Sequence, residues 1–230
     1  MPPLALLAGG LATRMRPLTG TVPKSMLEVA GEPFIAHQLR LFQREGIARV
    51  VICAGYLWQQ LADYVGDGAR FGIEVVYSID EAPLLGTGGA LRKALPQLGE
   101  AFLICYGDSY LDIAYAPVVE RFRSSGRAAL MTVYRNENSW DSSNVEFDGV
   151  EIRRYSKSDR TPAMAHIDWG LGILKRDALL LWPEAQAFDL AQVYMALAGQ
   201  GELAAFEVSR RFYEIGSFAG LAETDALLKR

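Results

Sequence analysis

The chain has 230 residues, of which half are hydrophobic and 22% charged, with a net charge of −4. Such a composition supports a sizeable core and excludes a disordered chain, and the negative balance excludes a protein that grips nucleic acid by neutralising phosphates. Cys53 and Cys105 both sit inside apolar runs, so buried reduced thiols are expected rather than a disulfide framework. The N-terminal apolar patch has no basic flank and is broken by glycines; the expectation is a cytoplasmic chain without signal peptide or membrane span.

The first element, Leu4 to Ala8, is an apolar run of the length of a buried parallel strand. Gly9 and Gly10 follow it, and Thr13, Arg14, Arg16, Pro17 and Lys24 come soon after. Glycines let a backbone approach a ligand with its N–H groups exposed, which suits anionic oxygens. With several cations close in sequence, the stretch from Leu4 to Gly31 suits a polyphosphate. Apolar spacing predicts a helix over residues 33–45, with Pro33 in its first turn and Gly46 at its stop. A strand over 49–55, a helix over 57–65 and a strand over 73–79 come next. This alternation predicts a parallel sheet covered by helices. A second glycine cluster at residues 85–91 is expected to open a helix over 90–95, with its N–H groups facing the carboxyl edge of the sheet.

Residues 101–106 read as another buried strand, leading directly into Gly107, Asp108 and Ser109. An acidic residue just past a central strand is where open α/β sheets place ligand chemistry, and its carboxylate suits Mg²⁺ shared with substrate phosphates. A helix N-cap is the competing reading. From residue 128 the pattern changes: a strand over 130–134, a hairpin about Asp148 and Gly149, and Lys157 in a polar loop. A strand over 166–174 carrying Gly170 and Gly172 follows, then helices over 175–181 and 187–198 and a strand over 203–208. A short strand over 211–215 bears Glu214, and an amphipathic helix over 218–228 closes the chain. This half, 128–230, is expected to form a smaller lobe over the edge of the sheet of 1–127, within one domain, with Glu214 brought back to that edge.

Other chemistries fit poorly. There is no G-x-S-x-G turn, and the two histidines, His37 and His166, lie mid-helix and mid-strand. Zinc ligands at suitable spacings are lacking. The opening loop reads G-G-x-x-x-R, neither a dinucleotide fingerprint nor a Walker A loop. What Arg14, Lys24, Asp108, Lys157 and Glu214 do suit is attack of one phosphate on another, for which no covalent nucleophile is needed. Two unit charges 4 Å apart repel by about 4 kcal/mol at an effective dielectric of 20. Cations are therefore required to hold a triphosphate against a monophosphate.

The stretch LLAGGLATRMRPLTGTVPKSMLEVAGEPFI resembles the opening signature of the sugar-1-phosphate nucleotidyltransferases, and the likeness continues through residues 86–90, 106–108 and 212–217. The length is similar to that of the compact bacterial heptose-1-phosphate guanylyltransferases and muramate-1-phosphate uridylyltransferases. The resemblance implies the nucleotide-diphospho-sugar transferase fold, a Rossmann-like, mostly parallel α/β sheet flanked by helices. It implies a nucleotide site at Leu7, Ala8, Gly9, Gly10, Thr13 and Arg14, with Gly86, Thr87 and Gly88 against the base. Arg14, Lys24, Asp108 and Lys157 would be catalytic, with Arg14 on the leaving pyrophosphate and Lys24 near the α-phosphate. Asp108, Lys157, Asp168 and Gly170 would contact the sugar phosphate, and Asp108 and Glu214 would hold Mg²⁺.

Three positions depart from the family pattern. Glu214 replaces a usual Asp; YSKSDRTP, carrying Lys157, replaces an E-K-P pattern; and HIDWGLGIL occupies the place of a sugar-contacting N-x-G strand. Asp168 and Trp169 are left there as either sugar contacts or, for Trp169, packing. The implied reaction joins an NTP, GTP or UTP, to a sugar 1-phosphate for cell-surface glycan precursors. Guanylyl transfer to a heptose 1-phosphate leads, because EAPLLGTGGALRKAL is similar to that branch. Uridylyl transfer to an amino-sugar phosphate, cytidylyl transfer to phosphocholine and a non-catalytic NDP-sugar sensor stay open. No nucleic-acid or membrane partner is expected, and an oligomer is compatible with the sequence.

Overall fold

The computed structural model describes residues 1–10, 15, 16, 18–80 and 83–229. Its centre is β1 (Leu4–Ala8). A small hairpin of β2 (Glu28–Val29) and β3 (Glu32–Pro33) leads into α1 (Phe34–Arg44). Then come β4 (Arg49–Ala54), α2 (Trp58–Val65), β5 (Glu74–Ile79), α3 (Gly86–Ala94), β6 (Ala101–Tyr106), β7 (Ser109–Tyr110) and α4 (Ala116–Ser125). The remainder is β8 (Ala129–Arg135), β9 (Val145–Phe147), β10 (Ile152–Tyr155), β11 (His166–Lys175), α5 (Asp177–Leu180), α6 (Leu190–Gly199), β12 (Leu203–Val208), β13 (Tyr213–Glu214) and α7 (Phe218–Leu228).

β1 pairs in parallel with β4 on one side and β6 on the other, and β5 extends the sheet beyond β4. β11 runs antiparallel to both β6 and β8, and β12 is parallel to β8. The carboxyl ends of β1, β4, β5, β6 and β8 therefore share one edge, which the amino end of β11 joins. Both faces of the sheet are covered, which is why its inner strands are apolar throughout. Leu4, Leu6, Val50, Ile52, Leu103 and Cys105 pack on the side of α1 and α4. Ala5, Val51, Cys53, Phe102 and Ile104 point the other way, to α3 and α6. Burial lifts the Cys53 thiol to about 12, so both cysteines are free, buried and protonated. No helix among the described residues is long and apolar enough to cross a membrane.

In the second half, β8, β11 and β12 continue the same sheet, and β9 and β10 hang from the amino end of β11. The expected hairpin is present, its turn held by Asp148 accepting from the Val150 and Glu151 N–H groups at 2.9 and 2.8 Å. The helix expected at residues 175–181 is only the single turn of α5, because Lys175 still belongs to the β11 ladder. The strand at residues 211–215 is only β13. α7 buries Thr224 rather than a full apolar stripe, and Ser217 caps it by accepting from the Gly220 N–H at 3.0 Å.

Candidate active site

Two adjoining cavities open at the shared edge. The first, of about 240 Å³, is walled by Leu7 and Ala8 at the end of β1, by Gly9 and Gly10 after it, by Gly86 and Thr87 at the start of α3, and by Cys53, Asp80 and Ala90. The second, of about 680 Å³, is bordered by Asn144, Lys157, Asp168, Gly170 and Glu214. Lys24, Tyr106 and Asp108 belong to both. Lys24 Nζ donates to Asp108 Oδ2 at 2.9 Å, so the boundary between the cavities is an ion pair.

The loop bearing Asp108 is pinned from three directions. The Gly107 N–H donates to Leu7 O at 2.9 Å, and the Ile215 N–H donates to Asp108 O at 2.9 Å. Gln38, fully buried on α1, donates its amide to Tyr106 O at 2.9 Å and to Ser109 O at 2.8 Å. Gly107 is obligatory here, since a Cβ would lie 2.9 Å from that of Ala8. Pairing of β13 with β7 sets Glu214 opposite Ser109. Glu214 accepts from the Gly216 N–H and, at 2.9 Å, from the Ser217 hydroxyl. Both carboxylates crowd Gly216: a Cβ there would strike Glu214 Oε2 and lie 3.5 Å from Asp108 Oδ2. Two oxygen donors beside a cleft fit Mg²⁺, which takes few protein ligands and keeps water or phosphate for the rest. No group of three or more metal-ligating side chains occurs among the described residues.

Lys157 lies 3.3 Å from Asp189, the N-cap of α6, which also takes the Thr87 hydroxyl at 3.2 Å and the Ala191 N–H at 2.7 Å. This ties the wall of the second cavity to the start of α3. Asp168 accepts from the Gly170 N–H at 3.0 Å, where β11 bulges and Gly170 takes φ +103°. Burial raises the Asp168 carboxyl to about 6, against the lowering effects of that N–H and of Lys157. Trp169 packs in the core, its indole N–H donating to Arg210 O at 2.8 Å, and also borders the second cavity.

Leu7, Ala8, Gly9, Gly10, Lys24, Gly86, Thr87, Asp108, Lys157, Asp168, Gly170 and Glu214 thus all border one cavity or the other. Thr13 and Arg14 lie outside the described residues. Gly88 lies inside α3 and borders neither cavity. α3 starts at Gly86, earlier than expected, and the Gly88 and Gly89 N–H groups both donate to Phe188 O, at 2.9 and 3.3 Å. Gly88 is glycine because a Cβ would enter the Phe188 ring, and it is not among the residues walling the first cavity. Sequence reasoning missed Gln38, Asp189, Asn144 and Asp80. Asp80 carried a usable signal, since like Asp108 it is an acid just past the end of a parallel strand. Ser25 was also missed; it is 3% exposed, and its hydroxyl, which has no hydrogen-bond partner among the described residues, belongs to a residue walling the first cavity.

The nucleotidyl transferase family model matches residues 5–153, which include β1, the glycine loop, α3 and Asp108. The chain belongs to the nucleotidyl transferase family. Over 111 residues, 48% of each chain, it is 41% identical to the N-acetylmuramate alpha-1-phosphate uridylyltransferase of Neisseria meningitidis serogroup B. Over 220 residues it is 26% identical to the mannose-1-phosphate guanyltransferase beta-A of Xenopus laevis, covering 92% of this chain and 60% of that one. The chain spans about half to three-fifths of the length of these curated relatives. Among solved structures, a putative glucose-1-phosphate thymidylyltransferase from Bacillus anthracis superposes with a TM-score of 0.88 at 20% identity, covering 99% of this chain and 95% of that one. HddC from Yersinia pseudotuberculosis complexed with GMP-PN gives 0.85 at 22% identity, over 100% of both. These superpositions establish the nucleotidyltransferase fold of this family member.

Proposed function

We infer that this chain transfers a nucleoside monophosphate from an NTP to a sugar 1-phosphate and releases pyrophosphate. The observation that carries the reading is the pair of cavities sharing Lys24 and Asp108 at the carboxyl edge of the sheet. In this reading the first cavity takes the nucleotide and the second the sugar phosphate. A phosphate oxygen of the acceptor attacks the α-phosphorus, the bond from that phosphorus to the bridging oxygen of the β-phosphate breaks, and pyrophosphate leaves in line. Lys24, at the junction, neutralises the two anions as they approach, and Lys157 steadies the acceptor phosphate. Asp108 and Glu214 would hold Mg²⁺, whose charge would offset that of the phosphates.

The finer reading is guanylyl transfer to a heptose 1-phosphate. Uridylyl transfer to an amino-sugar 1-phosphate is the second reading, favoured by the 41% match to a muramate-phosphate uridylyltransferase. A matrix of five NTPs against sugar 1-phosphates and phosphocholine, read by pyrophosphate release with Mg²⁺, tests the activity. Transfer to at least one sugar 1-phosphate is expected, and loss of it in Asp108→Ala. A matrix silent throughout, or undiminished turnover by that variant, would overturn the reading.

A further inference from the structure

The chain between β8 and β9, residues 136–144, belongs to no strand or helix, yet its own side chains hold it in place. Asn136, buried, donates its side-chain amide to Asp141 O at 2.6 Å and to Ser143 Oγ at 3.1 Å. Its Oδ1 accepts the Trp140 N–H at 3.2 Å. Asn138 and Ser143 exchange two further bonds, at 3.0 and 2.9 Å. This braced loop carries Trp140, which is 47% exposed, the most of the four tryptophans, and which borders the second cavity. Nothing within the fold gains from holding a large apolar ring half in water.

Arg211 covers one part of that ring, its guanidinium carbon 3.4 Å from the ring centroid, a contact that steadies the indole. Arg211 is itself fixed, 4.4 Å from the Tyr213 ring centroid and paired with Glu223 at 2.6 Å. It does not border the second cavity, so what Trp140 presents there is the remainder of its ring. Three kinds of group stack on an indole: a cation, an apolar group, or the C–H face of a sugar. A second cation is disfavoured, because the guanidinium already draws on the negative faces of the ring. A purely apolar ligand would leave Asp141, Asn144 and Asp168, which border the same cavity, without partners. A pyranose suits both, with C–H groups on one face and hydroxyl donors around its rim. Once Asp108 and Glu214 are given to Mg²⁺ and Lys24 and Lys157 to phosphates, Asp141 and Asp168 are the charges left, and they repel a second anion on the sugar.

We propose that Trp140, braced by Arg211, is the platform on which the acceptor's ring stacks, and that this acceptor is a pyranose phosphate with no carboxylate of its own. The proposal rests on the second cavity being the acceptor subsite.

Pyrophosphate-release kinetics on the full chain test this, with five NTPs against heptose 1-phosphate, mannose 1-phosphate, N-acetylmuramate 1-phosphate and phosphocholine. Heptose or mannose 1-phosphate is expected to exceed the carboxylate-bearing N-acetylmuramate 1-phosphate at least about tenfold in kcat/KM. Trp140→Ala should raise KM for that sugar phosphate at least about tenfold, the scale of one lost aromatic contact, while nucleotide Kd by calorimetry stays within about twofold. Trp140→Phe keeps a ring and should return KM to within about threefold of wild type. With the NTP present and Mg²⁺ chelated, the same sugar phosphate should change the indole emission of wild type, and most of that change should be absent in Trp140→Phe. An unchanged acceptor KM in Trp140→Ala, a Phe variant no better than Ala, or an emission change undiminished in Trp140→Phe would each overturn the platform. N-acetylmuramate 1-phosphate or phosphocholine as the better acceptor would overturn the assigned class. The wild-type acceptor ranking and the Phe variant decide even where Trp140→Ala fails to fold. Transfer that is indifferent to Trp140 would sink this proposal alone, whereas a chain that transfers to none of the four would sink the transfer reading with it.

Discussion

Replacing Gln38 by Leu separates the positioning of Asp108 from its chemistry. The side chain touches no cavity, yet its amide donates to the backbone on both sides of Asp108, at 2.9 and 2.8 Å. Leucine fills a similar volume but leaves the Tyr106 and Ser109 carbonyls without these donors, at about 1–3 kcal/mol apiece. Part of that loss is offset, because the Gln38 carbonyl oxygen is itself buried without a partner among the described residues. A net destabilisation of about 2 kcal/mol follows, which for a chain of this size lowers Tm by roughly 4–8 °C. Freed of its tether, the Asp108 loop should lose alignment, and a displacement near 1 Å costs about a hundredfold in rate. Scanning calorimetry and pyrophosphate-release kinetics on Gln38→Leu check both halves: kcat should fall at least about tenfold while KM for the nucleotide changes little. A variant with wild-type kcat and Tm would refute the anchoring of the Asp108 loop by α1.

Asp168→Asn should uncouple stability from acceptor binding. The folded carboxyl sits at about 6 against an ordinary value near 3.8, so between these pH values the folded chain binds the extra proton and stability falls as pH rises. Removing the carboxylate is expected to stabilise the chain by about 1–3 kcal/mol at pH 7.5 and by little at pH 4, while KM for the acceptor rises; calorimetry at the two pH values shows whether the sign is right. Glu214→Gln keeps an oxygen for the Gly216 N–H but removes a charge, and should raise the Mg²⁺ needed for half-maximal rate by about tenfold or more; a Mg²⁺ titration with unchanged midpoint would remove Glu214 from the metal site. Gly88→Ala drives a methyl into the Phe188 ring and should cost about 1–3 kcal/mol in a thermal melt with little change in nucleotide KM, whereas a large KM effect at unchanged Tm would return Gly88 to the nucleotide subsite.

The parallel centre was legible because β1, β4 and β6 are buried on both faces and therefore read as continuous apolar runs bounded by glycine. Asp108 was legible for a related reason, as the first acid past such a run. Gln38 was not, because a polar residue in a helix reads as surface; only the backbone of a loop distant in sequence makes it a buried anchor. The start of α3 was misplaced because a glycine run reads as a turn, while the structure uses those glycines to bring the helix against the Phe188 carbonyl. The continuity of the sheet into β8 and β12 was equally hidden, since short strands after a hairpin carry no local mark of which sheet they join. Asp80 was less legible because it follows β5, a half-buried edge strand with no continuous apolar run to mark the acid after it.

The loop around Asp108 is fastened to Leu7, near the beginning of the chain, to Gln38 on the first helix, and to Ile215 near its end. Contacts of such long sequence separation form late, because the loop-closure entropy must be overcome before they contribute. A nascent or truncated chain can therefore hold β1, β4 and β5 together while the Asp108 carboxylate is still unanchored. Chemical competence in this protein is a property of the finished chain, and a probe of turnover during refolding would lag behind any probe of sheet formation.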